Sequence, residues 1–435
     1  MRVGRAGLRE LVIAATSVAV GLSAGCAASG GPVVDLHSSR VEVIGSWSDT
    51  EQARFQAVLA GFHRATGATV RYRSAQGHVR EVLDARLRAG DAPDVALLPQ
   101  PGLIRSYARA GRLVPLDAAT RSAVEQHYAP VWQRLASAGG RLYGVWFKAA
   151  DKSLIWYSVG DFERAGVVPP DDLTGLARVA RVLRVHGIVP FSVGGADAWT
   201  LTDWFENLYL RLAGPTRYEQ LATHRLPWTD PSVAHALRLM RALLRPQYLL
   251  GGVRGALRTT FETSVDRAFG SNRSGAAMVC EGDFVASVIA TRTRAAIGPD
   301  VDAFAFPGTY VGLPVLVGGG DVAVQLHRSA VAAALMRYLA SPDAAAIWAA
   351  RGGFISPNRD LDLTVYPDAL SRGFARSVIE AGDGFRFDMS DLQPGTFGSA
   401  ANTGMEGGLR RLLVGDRVAA VQRGLEADAK AAYGR

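Results

Sequence analysis

Cysteine, lysine and long apolar runs are scarce in this sequence of 435 residues. The two cysteines, Cys26 and Cys280, are too few for a disulfide framework, so the fold must depend on its hydrophobic core. Lysine occurs only at positions 148, 152 and 430, and the net charge of +8 comes almost entirely from scattered arginine. Because the basic residues form no dense run, nucleic-acid binding is disfavoured.

Sequence motifs of catalysis and metal binding are also absent. The eight histidines form no His-x-x-x-His pair and lie near no cysteine, which excludes a zinc constellation of the usual spacing. There is no Gly-x-Ser-x-Gly elbow and no Walker loop. Gly318-Gly319-Gly320 lacks the spacing and the lysine of a nucleotide loop, and we interpret it as a tight turn or a close backbone approach to a ligand. The sequence therefore predicts no catalytic residue, no metal site and no cofactor.

Residues 1–26 have the order of a bacterial secretory signal, with arginines, then an apolar run over 11–22, then small residues. The apolar run is shorter than the roughly 20 residues that cross a bilayer as a helix. Leu22-Ser23-Ala24-Gly25-Cys26 resembles the lipobox, at which a signal peptide is removed and the new N-terminal cysteine is lipidated. We therefore expect a lipoprotein signal peptide over 1–25, lipidation of Cys26, a flexible tether over 26–40, and a location on the extracytoplasmic face of the cell membrane.

The rest of the chain is long enough for two lobes, since about 400 residues exceed the size at which one hydrophobic core stops growing. Apolar patterns predict strands over 41–44, 70–72 and 95–98 with amphipathic helices between them. Ser48 and Glu51 have the spacing of a capping box at the first helix. A short apolar run after a helix is typical of a buried parallel strand, so the opening third is predicted to be βαβαβ. Later segments alternate in the same way, which predicts an α/β protein.

Several aromatic residues stand beside polar or turn residues rather than in apolar periods. Trp47 lies between Ser46 and Ser48, and Trp199 follows Asp197-Ala198. Flat rings next to carboxylates suit a sugar, because its C–H faces stack on rings while its hydroxyls hydrogen-bond with the acids. Core packing is the alternative for each single tryptophan, but for the group we expect a carbohydrate-like site.

Seven short segments follow one another in a recognisable order. They are Gly45–Trp47, Ala89–Gly102, Lys152–Tyr157, Thr202–Trp204, Gly282–Phe284, Gly318–Asp321 and Gly352–Asn358. In this order they resemble the family 1 extracellular solute-binding proteins of ABC importers, most of all the alpha-glucoside type, over about Val41 to Leu413. Asp388–Gly395 also looks like the family's late segment, but Gly398-Ser399-Ala400 stand where an aromatic residue is expected, which removes support for a C-terminal stacking contact.

The resemblance implies a two-lobed α/β protein of the periplasmic-binding-protein-like fold, type II, with the ligand cleft between the lobes. The two lobes are expected to comprise 41–149 with 304–342 and 150–303 with 343–435. Crossovers between them are expected near 148–152, near 304–306 and near Ser341. Because both lobes contact the ligand only when the cleft is closed, binding should favour the closed form.

The positions of residues in these segments also predict the ligand site. Trp47 and Trp199 are expected to be stacking platforms, and Asp203, Asp283 and Asp321 are expected to accept hydrogen bonds from hydroxyls. The complete set of predicted ligand contacts is Trp47, Asp49, Gln100, Trp146, Lys148, Trp199, Asp203, Trp204, Glu281, Asp283, Gly320, Asp321 and Phe354.

The function implied by the resemblance is capture of a sugar, either a glycoside or an oligosaccharide, for import, with no enzyme activity. The expected partners are the sugar, the permease subunits of an ABC importer with a separate ATPase, and the membrane through the lipid anchor; the protein is expected to be a monomer and to bind no nucleic acid. Two alternatives stay open. One is a receptor of the same fold for a glycerophosphodiester or polyol phosphate, bound through Arg73 or Lys148. The other is a surface glycan hydrolase with paired carboxylates.

Overall fold

The computed structural model describes residues 36–271, 275–398, 400 and 402–434. The predicted signal peptide, Cys26 and most of the predicted tether lie outside these residues. In the part of the chain that is described, no helix is both long and apolar enough to cross a membrane.

Strands and helices alternate along the described chain. Numbered β1 to β12 in chain order, the strands are Arg40–Gly45, Thr69–Ser74, Val95–Leu98, Ser137–Ala138, Arg141–Leu142, Gly144–Asp151, Leu154–Ser158, Val189–Phe191, Ala276–Cys280, Val301–Ala305, Leu316–Gln325 and Phe385–Phe387. Numbered α1 to α19, the helices are Asp49–Thr66, Val79–Ala89, Pro101–Arg109, Ala118–His127, Pro130–Leu135, Val159–Ala165, Leu173–Val185, Trp199–Ala222, Pro231–Leu243, Gly252–Ala256, Phe261–Phe269, Val285–Arg292, Ala330–Leu339, Pro342–Ala349, Ala369–Glu380, Met389–Leu392, Gly395–Gly398, Gly404–Val414 and Val418–Tyr433.

The opening third is the predicted βαβαβ unit. Strand β1 lies between β2 and β3 and is parallel to both, and all four residues of β3 are buried. Helix α1 ends at Gly67, whose φ of 75° is in the left-handed region that favours glycine. The predicted capping box is not formed, because the Ser48 hydroxyl donates to the Asp49 carboxylate instead of capping the helix.

Two larger sheets organise the described chain, and the first includes the strands of the opening unit. The first has six strands in the order β12-β11-β3-β1-β2, with β6 antiparallel to β11, and the second has four in the order β10-β7-β9-β8. The predicted glycine turn lies inside β11, where a Cβ atom at Gly318 would meet the Phe385 ring and the Ala150 carbonyl, and one at Gly320 would meet the Lys148 carbonyl. These glycines therefore permit close approach of neighbouring strands rather than of a ligand.

The chain passes between the two sheets at three places. It passes first from β6 to β7 through Lys152, and returns from β10 to β11. The third passage follows β12 at Asp388, where α16 packs on α8. The passage expected near Ser341 is not there, because Ser341 caps α14 through the Ala344 N–H (3.2 Å) and α14 packs on α1 of the first lobe.

The core consists of two large hydrophobic clusters. One covers much of the first sheet with α1, α13 and α14, and the other covers α7, α8 and α9 with α18 and α19. Helix α14, helix α15 and strand β12 contact elements of the first lobe. The lobe bounds stay a prediction, and this packing favours placing 343–387 in the first lobe and beginning the last part of the second lobe at Asp388.

Candidate functional site

Lys152 lies among buried carboxylates at the first passage between the sheets. Its Nζ is 3.3 Å from Asp203 Oδ1 and also forms an ion pair with Asp388 Oδ2. Burial raises the pKa of Asp203 to about 7 in spite of the ammonium. Burial also acts to raise the pKa of Asp388, but the charge of Lys152 and the hydrogen bonds from Lys152 and Ser390 together outweigh it, and the pKa lies below its ordinary value. Asp388 is therefore the principal anionic partner of Lys152.

Two more buried carboxyls, Glu206 and Glu281, surround this ion pair. Burial, together with the charges of Asp388 and Asp203, raises the pKa values of both groups well above their ordinary range. Glu206 Oε2 accepts hydrogen bonds from the Tyr218 hydroxyl (2.9 Å) and the Met389 N–H (2.7 Å). These contacts hold α8 and α16 together beneath the cleft.

One oxygen from each of Asp203, Glu206 and Asp388 lies within 4.8 Å of the others, a spacing that could hold a metal ion. The Lys152 ammonium already contacts two of these three carboxylates. It supplies the positive charge that a metal would bring, and the group is explained as a charge cluster centred on lysine.

A cavity of about 300 Å³ opens above the cluster, at the lower end of the size range of small-molecule sites. Trp199 forms one side of it and is half-buried. The other seven tryptophans, all within the described residues, are at most 3% exposed. The remaining lining residues are Lys152, Asp197, Ala198, Thr202, Asp388, Ser390, Asp391, Gly398 and Glu406.

The Trp199 ring is held in place at the start of α8. Its centroid is 5.1 Å from that of Phe261 and 5.8 Å from that of Phe284. Asp197 Oδ2 accepts the Phe261 N–H at 2.6 Å, which fixes the loop before the helix to α11. Lys152 Nζ lies 5.4 Å from the centroid of the Trp199 ring, within the range of a cation–π contact. The aromatic face and the charged cluster therefore form one site.

A hydrogen bond connects the two sides of the cleft beside this cavity. Gln100 Nε2, at the start of α3 in the first lobe, donates to Asp391 Oδ1 of α16 at 2.8 Å. Burial and the nearby charge of Asp388 raise the pKa of Asp391 to about 7. Of the predicted contacts, Gln100 thus lies at the boundary of the site.

The first-lobe tryptophan expected to be a stacking platform is buried instead. Trp47 is 3% exposed, and its ring packs edge-on against Phe55 and Trp348 at centroid distances of 4.8 and 4.7 Å. Its indole Nε1 donates to Asp321 Oδ2 at 3.1 Å. In this structure Trp47 positions Asp321 and offers no face to a ligand.

Lys148 and its neighbours on the first lobe form a second charged group together with Asp283 of the second lobe. Lys148 Nζ is paired with Glu51 and lies 5.4 Å from the centroid of the Trp348 ring. Burial raises the pKa of Asp321, and likewise that of Asp283, to about 6 even though Lys148 lowers both. Asp283 Oδ1 accepts the N–H of Asp151 at 2.9 Å.

The other predicted contacts are divided between the surface and the core. Asp49 is exposed at the start of α1, and Gly320 lies within β11. The rings of Trp146, Trp204 and Phe354 are at most 2% exposed and pack in the hydrophobic clusters. Such burial favours a structural role for these three rings, and their contact with ligand stays a prediction.

Four residues at the centre of the site were missing from the predicted contacts, namely Lys152, Asp388, Ser390 and Asp391. Lys152 begins one of the seven segments that resemble the family, and Asp388–Gly395 resembles its late segment, but neither pattern indicates which side chain faces a cavity. The scarcity of lysine is the sequence signal that could have indicated Lys152. A chain that otherwise uses arginine has two of its three lysines at positions 148 and 152.

Two α/β lobes, three passages between them and a small cavity that contains Lys152 and Asp388 of two of these passages are the architecture of a solute receptor of the binding-protein type. The model of the family described as bacterial extracellular solute-binding protein matches residues 46–346. The chain belongs to this family, as its sequence pattern predicted. Members of the family are binding proteins that serve ABC transporters rather than enzymes, so the glycan hydrolase alternative is set aside.

Named relatives and solved structures agree with this assignment. The osmoprotective compounds-binding protein GgtB of Synechocystis sp. (strain PCC 6803) is 33% identical over 374 residues, which are 84% of this chain and 87% of GgtB. The alpha-glucosides-binding periplasmic protein AglE of Rhizobium meliloti is 30% identical over 383 residues, 84% of this chain and 82% of AglE. The crystal structure of the bacterial solute receptor AcbH, described as preferring β-D-galactopyranose, matches with a TM-score of 0.75 at 19% identity over 91% of this chain and 98% of AcbH. The predicted two-lobed type II fold is confirmed.

Proposed function

We propose that this protein captures a sugar, a glycoside or short oligosaccharide, in the cavity beside Trp199 and delivers it to the permease of an ABC importer. The observation that carries the proposal is the combination of one half-buried indole face with the polar groups of Lys152, Asp388 and Asp391 in a cavity of about 300 Å³. A relative named for alpha-glucosides supports the same ligand class.

Each part of the cavity matches one part of a sugar. The apolar C–H face of a pyranose ring stacks on the indole of Trp199, which is already held by Phe261 and Phe284. The carboxylates of Asp388 and Asp391 accept hydrogen bonds from hydroxyls, and the Lys152 ammonium donates to a ring or hydroxyl oxygen.

A thermal-shift screen of the purified protein tests the ligand class. Methyl α-glucoside, maltose, trehalose, sucrose and raffinose are compared with glycerophosphocholine and with buffer alone. A sugar that binds should raise the melting temperature, and the shift should grow with the logarithm of its concentration above the dissociation constant. Stabilisation by glycerophosphocholine alone would contradict the sugar assignment.

The two cations that would bind a phosphodiester are both paired with carboxylates in this structure. Arg73 Nε is paired with Glu42 at 2.5 Å, and Lys148 is paired with Glu51. Each would have to give up a carboxylate partner before it could bind a phosphate.

We also propose that the protein is a lipoprotein anchored through Cys26. The proposal rests on the sequence Leu22–Cys26 and on the extracellular location that characterises the family. Several acyl chains on one cysteine give a stable anchor, because each buried methylene contributes about 0.8 kcal/mol.

Replacing Cys26 by alanine should move the protein from the membrane fraction to the culture medium or periplasm and remove labelling by an alkyne fatty acid. Cys280→Ala is the matched control, because Cys280 is buried in the fold and cannot be lipidated. A Cys26→Ala protein that still incorporates the fatty acid would contradict the anchor.

A further inference from the structure

A second cavity, of about 490 Å³, lies beyond Asp391, whose side chain borders both cavities. One wall is α3 and the start of α2, and the other is the segment from Asp391 to Thr396 with Tyr433. Three arginines line it, namely Arg80, Arg105 and Arg109, whereas Asp391 is the one acidic residue in the lining. The cavity therefore carries an excess of positive charge.

Arg105 is half-buried, and its guanidinium forms no hydrogen bond or ion pair with any residue that the structure describes. Burial, together with the charge of Arg109, lowers its pKa below the ordinary value. Elsewhere in the chain, a buried guanidinium is provided with acceptors: Arg211 bonds to the Phe306 carbonyl at 2.8 Å, and Arg386 contacts Glu219 at 3.1 Å. A partly desolvated cation without such acceptors gains most from an anion brought by a ligand.

The groups around Arg105 leave room for that anion. Arg80 and Arg109 are exposed and likewise form no ion pair with described residues. Asp391 Oδ1 is engaged by Gln100, and the Tyr433 hydroxyl donates to the Ala222 carbonyl. Guanidinium groups bind carboxylate and phosphate oxygens in a two-pronged geometry, which makes these two anions the best matches.

We propose that Arg105, with Arg80 and Arg109, binds a carboxylate or phosphate group carried by the sugar whose ring occupies the Trp199 cavity. This inference rests on the proposed sugar function. Because Asp391 borders both cavities, a ligand that extends past it presents its substituent to the arginines. The ligand class is thereby narrowed from neutral glycosides to glycosides with an anionic substituent.

Calorimetry with matched probe pairs tests this proposal on the purified protein at low salt. The pairs are maltitol with maltobionate and trehalose with trehalose 6-phosphate, and inorganic phosphate is titrated alone. The anionic member of a pair should bind about tenfold or more tightly than the neutral one. Arg105→Gln should abolish that preference and leave the affinity for the neutral sugar within about twofold.

Arg238→Gln is the matched control, because Arg238 is exposed on α9 and forms no ion pair with described residues; it should keep the preference. Thermal unfolding of each variant checks that the fold is intact. Equal affinities within both pairs, or a preference that survives Arg105→Gln, would overturn the proposal. Phosphate binding that depends on Arg105, without any advantage for the anionic sugars, would overturn the assignment to a sugar substituent in favour of a separate anion. If the neutral sugars also fail to bind, the proposed function itself fails.

Discussion

Replacing Lys152 by methionine should lower the free energy of unfolding by about 3–5 kcal/mol, because it removes the cation from a buried group of carboxylates. Methionine keeps the length and most of the volume of the side chain. The loss of stability therefore measures the effect of removing the charge rather than an effect on packing. Asp203 and Asp388, both at most 1% exposed, would then face each other without compensation. Urea unfolding of the ligand-free protein at pH 7.5 measures the difference.

The same variant should show a characteristic dependence on pH. Without the ammonium, the folded-state pKa of Asp203 rises further above the value of about 3.9 for an unfolded chain, and the pKa of Asp388, which Lys152 holds below that value, rises as well. A carboxyl with a raised folded-state pKa contributes stability that is present at low pH and is lost as the pH rises through that pKa. The deficit of Lys152→Met should therefore be smaller at about pH 4.5 than at pH 7.5.

Lys430→Met provides the matched control for this experiment. The Lys430 side chain is 59% exposed and lies 3.6 Å from Glu426 on the same helix, so its loss should change the stability by less than about 0.5 kcal/mol. A change below about 1 kcal/mol in Lys152→Met, or an equal change in both variants, would contradict the role of Lys152 as the cation of the cluster.

Sequence patterns predicted the features of the fold that depend on residues close together in the sequence. Strand β3 is a continuous apolar run that is buried on both faces, and Gly67 ends α1 in the left-handed conformation that glycine favours. These features depend on local periodicity and on backbone preference. Strand β3 and the end of α1 could therefore be predicted without knowing which segments contact each other in the folded protein.

The lobe boundary depended on contacts between distant segments. Helix α14 packs on α1, and β12 pairs with β11, so the chain stays with the first sheet until Asp388. Nothing in the local sequence around Ser341 distinguishes a helix cap within one lobe from a passage between lobes. The third passage was accordingly expected too early in the chain.

The candidate site was the hardest part to predict, because exposure of an aromatic ring is a property of packing. Trp47 and Trp199 both stand beside small and acidic residues, yet Trp348 of α14 covers the first and leaves it 3% exposed, whereas the second stays half-buried. Lys152 and Asp388 likewise become partners only because β6 and β12 end at the same junction. The sequence indicates that aromatic and charged residues form the site, but it does not indicate which tryptophan or which carboxylate faces the cavity.

Replacing Trp199 by alanine should weaken binding of the captured sugar by about 1.5–3 kcal/mol, which corresponds to a dissociation constant roughly 10–150 times larger. The expected loss is large because Trp199 is the one half-buried tryptophan among the eight, and its ring forms a side of the cavity. Trp199→Phe should lose much less, since a smaller ring keeps the stacking face. Calorimetry with the sugar that gives the largest thermal shift measures all three proteins.

Tyr248→Ala is the matched control, because Tyr248 is also a half-buried aromatic residue of the second lobe but lines neither the Trp199 cavity nor the arginine cavity. Tyr248→Ala should keep the affinity for the sugar within about twofold of that of the unsubstituted protein. Thermal unfolding checks that both alanine variants remain folded. Fluorescence gives an independent readout, since Trp199 is the tryptophan that a ligand in this cavity would contact, and its quenching should disappear in Trp199→Ala. Unchanged affinity in Trp199→Ala, or an equal loss in Tyr248→Ala, would remove Trp199 from the binding site and with it the main support for stacking on this ring.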